Sequence, residues 1–223
     1  MVNMVIVTGL GRCGTSILTK YLGDVGFGVG RNINWHKEAR AGYELSTAYS
    51  INREMWNNYC KAGKPIDLDF DYRGPYWKCK YKEAIFNVDK DEEKQGKVEV
   101  IKDPRFTWNP ALIEAWWTVR QDLKLIICHR DIKSIYDSRK SLPPQYDDPK
   151  RLELPEYKTD FADFYTKVLQ LEIPYVTLFF PKFLQNFHDT WLVLEIIGLS
   201  HNYDKGKKIW HDMMDRTLLD GRT

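Results

Sequence analysis

The chain lacks the marks of several large protein classes. Its 223 residues carry a formal net charge of only +2, so no global field points to nucleic acid. None of its apolar runs reaches the roughly 20 residues that a bilayer-spanning helix needs. Cysteine is scarce. The four residues Cys13, Cys60, Cys79 and Cys128 show neither metal-ligand spacing nor a disulfide framework. A reducing compartment fits them. The short apolar run at the start leads straight into a glycine turn and lacks the form of a signal peptide. The expectation is a soluble, cytoplasmic protein. The length suffices for a single α/β domain over residues 1–223 whose core needs no staples. Aromatics, by contrast, are plentiful, with 8 tryptophans and 13 tyrosines. Most of them read as core packing.

One further absence is local. Met4-Val5-Ile6-Val7-Thr8 reads as a strand, and Gly9-Leu10-Gly11-Arg12-Cys13-Gly14-Thr15-Ser16 follows as a glycine-rich turn into a helix. Strand, turn and helix N-terminus together make a phosphate cradle, in which backbone N–H groups converge on an anion. Gly9, Gly14 and Ser16 match G-x-x-x-x-G-K-[ST], the ATP/GTP loop, but Thr15 stands where that loop has lysine. The missing lysine normally reaches the β- and γ-phosphates, so its loss argues against a triphosphate. The cation present is Arg12, two residues before Gly14. Cys13 lies beside it near a helix N-terminus, a setting that lowers a thiol pKa, although a small packing residue is the better reading.

Strand and helix patterns alternate along the chain. Residues 46–60 read as a helix, with Ile51, Met55 and Tyr59 at spacing four. Residues 60–95 are the least regular and read as an insertion or lid. Val98–Ile101 is a second strand, Leu123–Cys128 a third and Pro174–Phe180 a fourth. Helices are expected over 132–141, 159–171, 188–197 and 203–218, with a polar loop after Pro143-Pro144. This alternation predicts a three-layer α/β sandwich around a largely parallel sheet covered on both sides.

In such sheets ligands bind beyond the carboxyl ends of the strands. Those ends are basic here: Arg12, Gly14, Thr15 and Ser16 after the first strand, Lys102, Asp103 and Arg105 after the second, and Arg130 after the third. Ser134 and Ser138 share the helix face behind Arg130. An arginine fork and a hydroxyl on that line suit a second, separate phosphate. A nucleotide with phosphates at both ends would use both places.

These motifs together resemble the sulfotransferases that use 3′-phosphoadenylyl sulfate (PAPS), in their compact bacterial and phage-type branch. That branch typically opens with a strand and a G-x-x-R-S-G-T-S/T loop, matched by Gly9 to Ser16 with Cys13 in the serine position. Its 3′-phosphate motif, an arginine at a strand end and a serine eight residues later, is matched by Arg130 and Ser138. Lys102-Asp103-Pro104-Arg105 resembles its K-D-P-R segment, Gly42-Tyr43-Glu44 its G-Y/F-x-E segment without the intervening residue, and Trp116-Trp117 falls near an expected tryptophan. Phe180-Pro181-Lys182 replaces the usual Y-E-D. The likeness spans most of the chain except residues 60–95.

The resemblance implies a P-loop-like fold and transfer of a sulfuryl group from PAPS to a hydroxyl or amine of a small-molecule or glycan acceptor, without a bound metal. It implies that Gly11, Arg12, Cys13, Gly14, Thr15 and Ser16 hold the 5′-phosphosulfate, and Arg130 and Ser138 the 3′-phosphate. Lys102 or Arg105 would stabilise charge on the transferring group. Glu44 is the first candidate for the base, with His36 and Asp103 as alternatives. Two other readings remain. One is a P-loop kinase or NTPase, with Asp103 or Asp131 as the Mg²⁺ carboxylate. The other is a nucleotide-binding relative without catalysis. The acceptor and the oligomeric state are not legible.

Overall fold

The computed structural model describes residues 4–29, 46–61, 83, 98–140 and 154–219. The expected insertion lies almost wholly outside these residues, as do His36, Glu44 and most of the loop after Pro143-Pro144.

Four strands form the sheet: β1 (Val5–Thr8), β2 (Val100–Lys102), β3 (Lys124–His129) and β4 (Tyr175–Phe179). All neighbours pair in parallel, in the order β2-β1-β3-β4. The chain leaves β1 for one side, forms β2, and then crosses back to form β3 on the other side. The carboxyl end of β1 is therefore a switch point, where a crevice opens between connections that diverge to opposite sides.

Side chains alternate across the sheet as a strand requires. Val5, Val7, Ile126, Cys128 and Leu178 share one core with Leu18, Tyr21, Leu22, Leu194, Ile197 and Trp210. These last come from α1 (Thr15–Val25), α8 (Phe187–Ile197) and α9 (Tyr203–Leu219). Ile6, Ile101, Leu125 and Ile127 face the other way, onto Ile51, Met55, Phe106, Leu112, Ile113, Trp116, Phe164 and Val168. Those belong to α2 (Ser46–Lys61), α3 (Arg105–Trp108), α4 (Pro110–Val119) and α6 (Leu154–Gln170). Two short pieces complete the described elements: α5 (Ile132–Lys140) and α7 (Lys182–Gln185). Both sheet faces are covered, which is why β1 and β2 read as unbroken apolar runs. No described helix is long and apolar enough to cross a membrane.

The expected α/β sandwich is thus the observed one. The helices over 105–119 were not anticipated. Their signal was present: Asn109 accepts a hydrogen bond from the Ala111 N–H and Pro110 occupies the first helical turn, a start signature that needs no hydrophobic periodicity. β2 begins at Val100, two residues later than expected, and the Glu99 and Val100 N–H groups both donate to the Gly28 carbonyl.

Candidate active site

The loop between β1 and α1 is built from residues with positive φ: Gly11 at 80°, Arg12 at 55° and Gly14 at 84°. This curls the backbone so that its N–H groups turn inward, and Gly14 then caps α1 with no side-chain hydrogen bond. The first-turn N–H groups of α1, at Thr15 and Ser16, are those a helix cannot satisfy itself. Two glycines are required by contact. A Cβ on Gly9 would stand 2.4 Å from the Cys128 carbonyl oxygen and 2.5 Å from Cys13 Sγ. One on Gly14 would stand 2.5 Å from the Phe180 ring and 2.9 Å from Phe183. So at Gly14 a side chain collides first with aromatic packing behind the loop.

Cys13 is the small packing residue that the sequence favoured over an activated thiol. It is fully buried, and burial pushes its pKa up to about 11, outweighing the N–H groups of Gly11 and Thr15 and the Lys102 ammonium that pull it down. The thiol is a protonated packing group that fills the space above Gly9. Only the Cys13 backbone is left for a ligand.

Three sequence-predicted residues meet at this loop. Arg12 Nε donates to Ser138 Oγ at 3.1 Å, and Arg130 Nη1 donates to the Arg12 carbonyl at 3.0 Å. The arginine of the β1 loop, the arginine ending β3 and the serine of α5 therefore form one hydrogen-bonded group. The Arg130 guanidinium also lies 5.1 Å from the centre of the Phe180 ring. Ser134 takes another role. Its N–H and hydroxyl both donate to Asp131 Oδ1, at 2.8 and 2.9 Å. Asp131 thus caps α5, and these bonds hold its pKa below the usual carboxylate value.

At the end of β2, Lys102 is buried, at 4% exposure, and close enough to Cys13 for its ammonium to act on the thiol. The next residue is locked away. Asp103 Oδ1 accepts from the Arg105 N–H at 2.9 Å and from Nε at 2.8 Å, while Oδ2 accepts from Arg105 Nη2 and Asn52 Nδ2, each at 2.8 Å. A carboxylate has about four acceptor positions, and all are used. Asn52, on α2, is fully buried and accepts from Trp116 Nε1 at 3.0 Å. Asp103, Arg105, Asn52 and Trp116 thus tie β2, α2, α3 and α4 together. Asn52 went unnoticed in the sequence, where nothing separates it from the other polar residues of α2. Glu44 precedes the first residue of α2 by two positions.

His129, which ends β3 beside Arg130, faces the opposite side. It hydrogen-bonds Tyr165 and stacks on Phe179 at 5.0 Å. Burial lowers its pKa from 6.5. Among the described residues no group of three His, Cys, Asp or Glu side chains stands where it could hold a metal ion.

The fold, a mixed α/β layer structure with a glycine-rich turn after β1, is similar to that of solved sulfotransferases. STF1, a sulfotransferase from Mycobacterium tuberculosis, superposes with a TM-score of 0.64 at 14% identity, over 95% of this chain and 71% of that one. STF9, a sulfotransferase from Mycobacterium avium, gives 0.57 at 13% identity over 96% of this chain and 68% of its own. The sulfotransferase domain of the Synechococcus olefin synthase gives 0.52 at 10% identity, over 91% and 75%. No protein-family model and no curated protein matches the sequence.

Proposed function

We propose that this protein is a sulfotransferase that moves a sulfuryl group from PAPS to a hydroxyl or amine acceptor and releases adenosine 3′,5′-bisphosphate (PAP). The observation that carries the reading is the hydrogen-bonded group Arg12, Ser138 and Arg130, set beside a lysine-free phosphate loop at the switch point of the sheet. Two guanidinium groups and a hydroxyl, next to the N–H groups of Thr15 and Ser16, suit a nucleotide with anionic groups at both its 5′ and 3′ positions.

PAPS supplies an activated sulfuryl group on its 5′-phosphate. The bond from acceptor oxygen or nitrogen to sulfur forms as the bond from sulfur to the 5′-phosphate oxygen breaks. The acceptor proton passes to a base, and PAP leaves with the electron pair. Arg12 and the backbone N–H groups of Gly14, Thr15 and Ser16 hold the 5′ end and balance charge on the departing phosphate. Arg130 and Ser138 hold the 3′-phosphate. The cation for the transferring group is Lys102, because Arg105 has its fork on Asp103. The same ion pair removes Asp103 from contention as the base, since all its acceptor positions are filled. Glu44, just ahead of α2, is the base we assign.

The kinase reading is weaker. Asp103 is committed to Arg105 and Asp131 to the cap of α5, so neither carboxylate is poised for Mg²⁺. The direct test is transfer of label from sulfur-labelled PAPS to a panel of phenols, alcohols, amines and glycans. Labelled product is the expected result. PAP binding with no transfer across the panel would favour a non-catalytic relative.

A further inference from the structure

Phe180 stands where the resemblance places the tyrosine of Y-E-D, and the proposed reaction gives it no task. Its surroundings do. The Arg130 guanidinium lies over the ring at 5.1 Å from its centre, within the range of a cation–π contact. The ring is itself held firmly. The Phe180 N–H donates to the His129 carbonyl at 2.7 Å, and Phe183 meets it edge-on at 6.0 Å. The side-chain-free Gly14 leaves the space it fills, since a Cβ there would stand 2.5 Å from the ring. Phe180 therefore spans the phosphate loop and the arginine at the end of β3.

A ring does something a carboxylate cannot do at this place. A carboxylate would fix a guanidinium by occupying its N–H groups and cancelling its charge, in competition with an incoming phosphate. A π face orients the cation and leaves its in-plane N–H donors and its charge available. The chain keeps the ring of the expected tyrosine and replaces both following acids with Pro181 and Lys182. The hydrogen bond of Arg130 goes to the Arg12 carbonyl, while the neighbouring Asp131 carboxylate, engaged by Ser134, acts on the guanidinium only through its charge.

We infer that Phe180 is a positioning residue, whose ring aims Arg130 at the nucleotide's 3′-phosphate and so sets the preference for a bisphosphate over a monophosphate nucleotide. The inference rests on the proposed PAPS site and deepens it.

The test has two arms. In the first, calorimetry compares PAP with AMP, which lacks the 3′-phosphate, on wild type, Phe180→Tyr and Phe180→Leu. Phe180→Leu is expected to lose roughly three- to thirtyfold in PAP affinity, the span of a cation–π contact, with a distinctly smaller loss for AMP. Phe180→Tyr, which keeps the ring, is expected to bind both as wild type does. Equal losses for the two nucleotides in Phe180→Leu would make the ring mere loop packing and overturn the inference. So would full PAP affinity.

The second arm needs no variant at position 180 and no nucleotide. The NMR signals of the Arg130 side chain, assigned by their disappearance in Arg130→Lys, are expected to be shifted upfield by the ring. Unshifted signals would overturn the inference even if Phe180→Leu does not fold. Shifted signals with no wild-type preference for PAP over AMP would contradict the nucleotide reading itself, and the specificity role with it.

Discussion

Arg12 is the residue on which the site turns. It sits at φ 55°, in a region that costs a side-chain-bearing residue about 1–3 kcal/mol, and Arg130 holds its carbonyl there. Arg130 thus supports the loop, and in the proposed site it also meets the 3′-phosphate. Arg130→Ala is expected to weaken PAP binding by roughly 1.5–3 kcal/mol, the range for charge-assisted hydrogen bonds. Adenosine 5′-phosphosulfate, which lacks the 3′-phosphate, should lose distinctly less, and equal losses on calorimetry would contradict the assignment. Glu44→Gln is expected to cut transfer on the order of 10²–10⁴-fold, the usual range for a general base, while leaving PAP affinity nearly unchanged. A parallel fall in PAP affinity would make Glu44 structural instead.

At the scale of elements, two junctions fix the geometry. One is the buried ion pair of Asp103 at the end of β2 with Arg105 at the start of α3, to which Asn52 of α2 adds a hydrogen bond. Asp103→Asn would leave the Arg105 guanidinium buried beside a neutral amide, and removing one partner of a buried pair typically costs about 3–5 kcal/mol. Chemical denaturation is expected to show a loss of that size. A loss near that of a surface substitution would mean the pair is solvated. The other junction is His129 between β3 and α6. Its folded pKa lies below 6.5, so below that pH the unfolded chain binds the extra proton first. Its contribution is therefore intact above pH 6.5 and declines as pH falls towards the folded value. His129→Phe keeps the stacking without the titration. It should lose less stability than wild type between about pH 8 and pH 5.5, and an identical pH dependence would contradict the assignment.

The β1 strand, glycine loop and α1 were legible because each has a local signature: a β-branched run, positive-φ glycines, and a helix ending at Gly26. The basic strand ends were legible for the same reason. What sequence could not reveal were the meetings between distant segments. The Arg12 bond to Ser138 and the Asn52 bond to Asp103 join positions 126 and 51 residues apart, and no local pattern encodes them. Nor does the string K-D-P-R disclose that two of its charged residues, Asp103 and Arg105, face each other.

For the whole molecule, the central claim is that the sheet's switch point holds a nucleotide with phosphates at both ends and no γ-phosphate. Ligand binding stabilises the folded state by about 2.7 kcal/mol at a hundredfold excess over Kd. For a chain of this size each kcal/mol moves the melting temperature about 2–4 °C. The direct measurement is thermal unfolding with PAP and with ATP plus Mg²⁺ at matched concentrations. The account predicts a rise of roughly 5–10 °C with PAP at saturation and a far smaller one with ATP. A larger rise with ATP and Mg²⁺, or none with PAP, would contradict it.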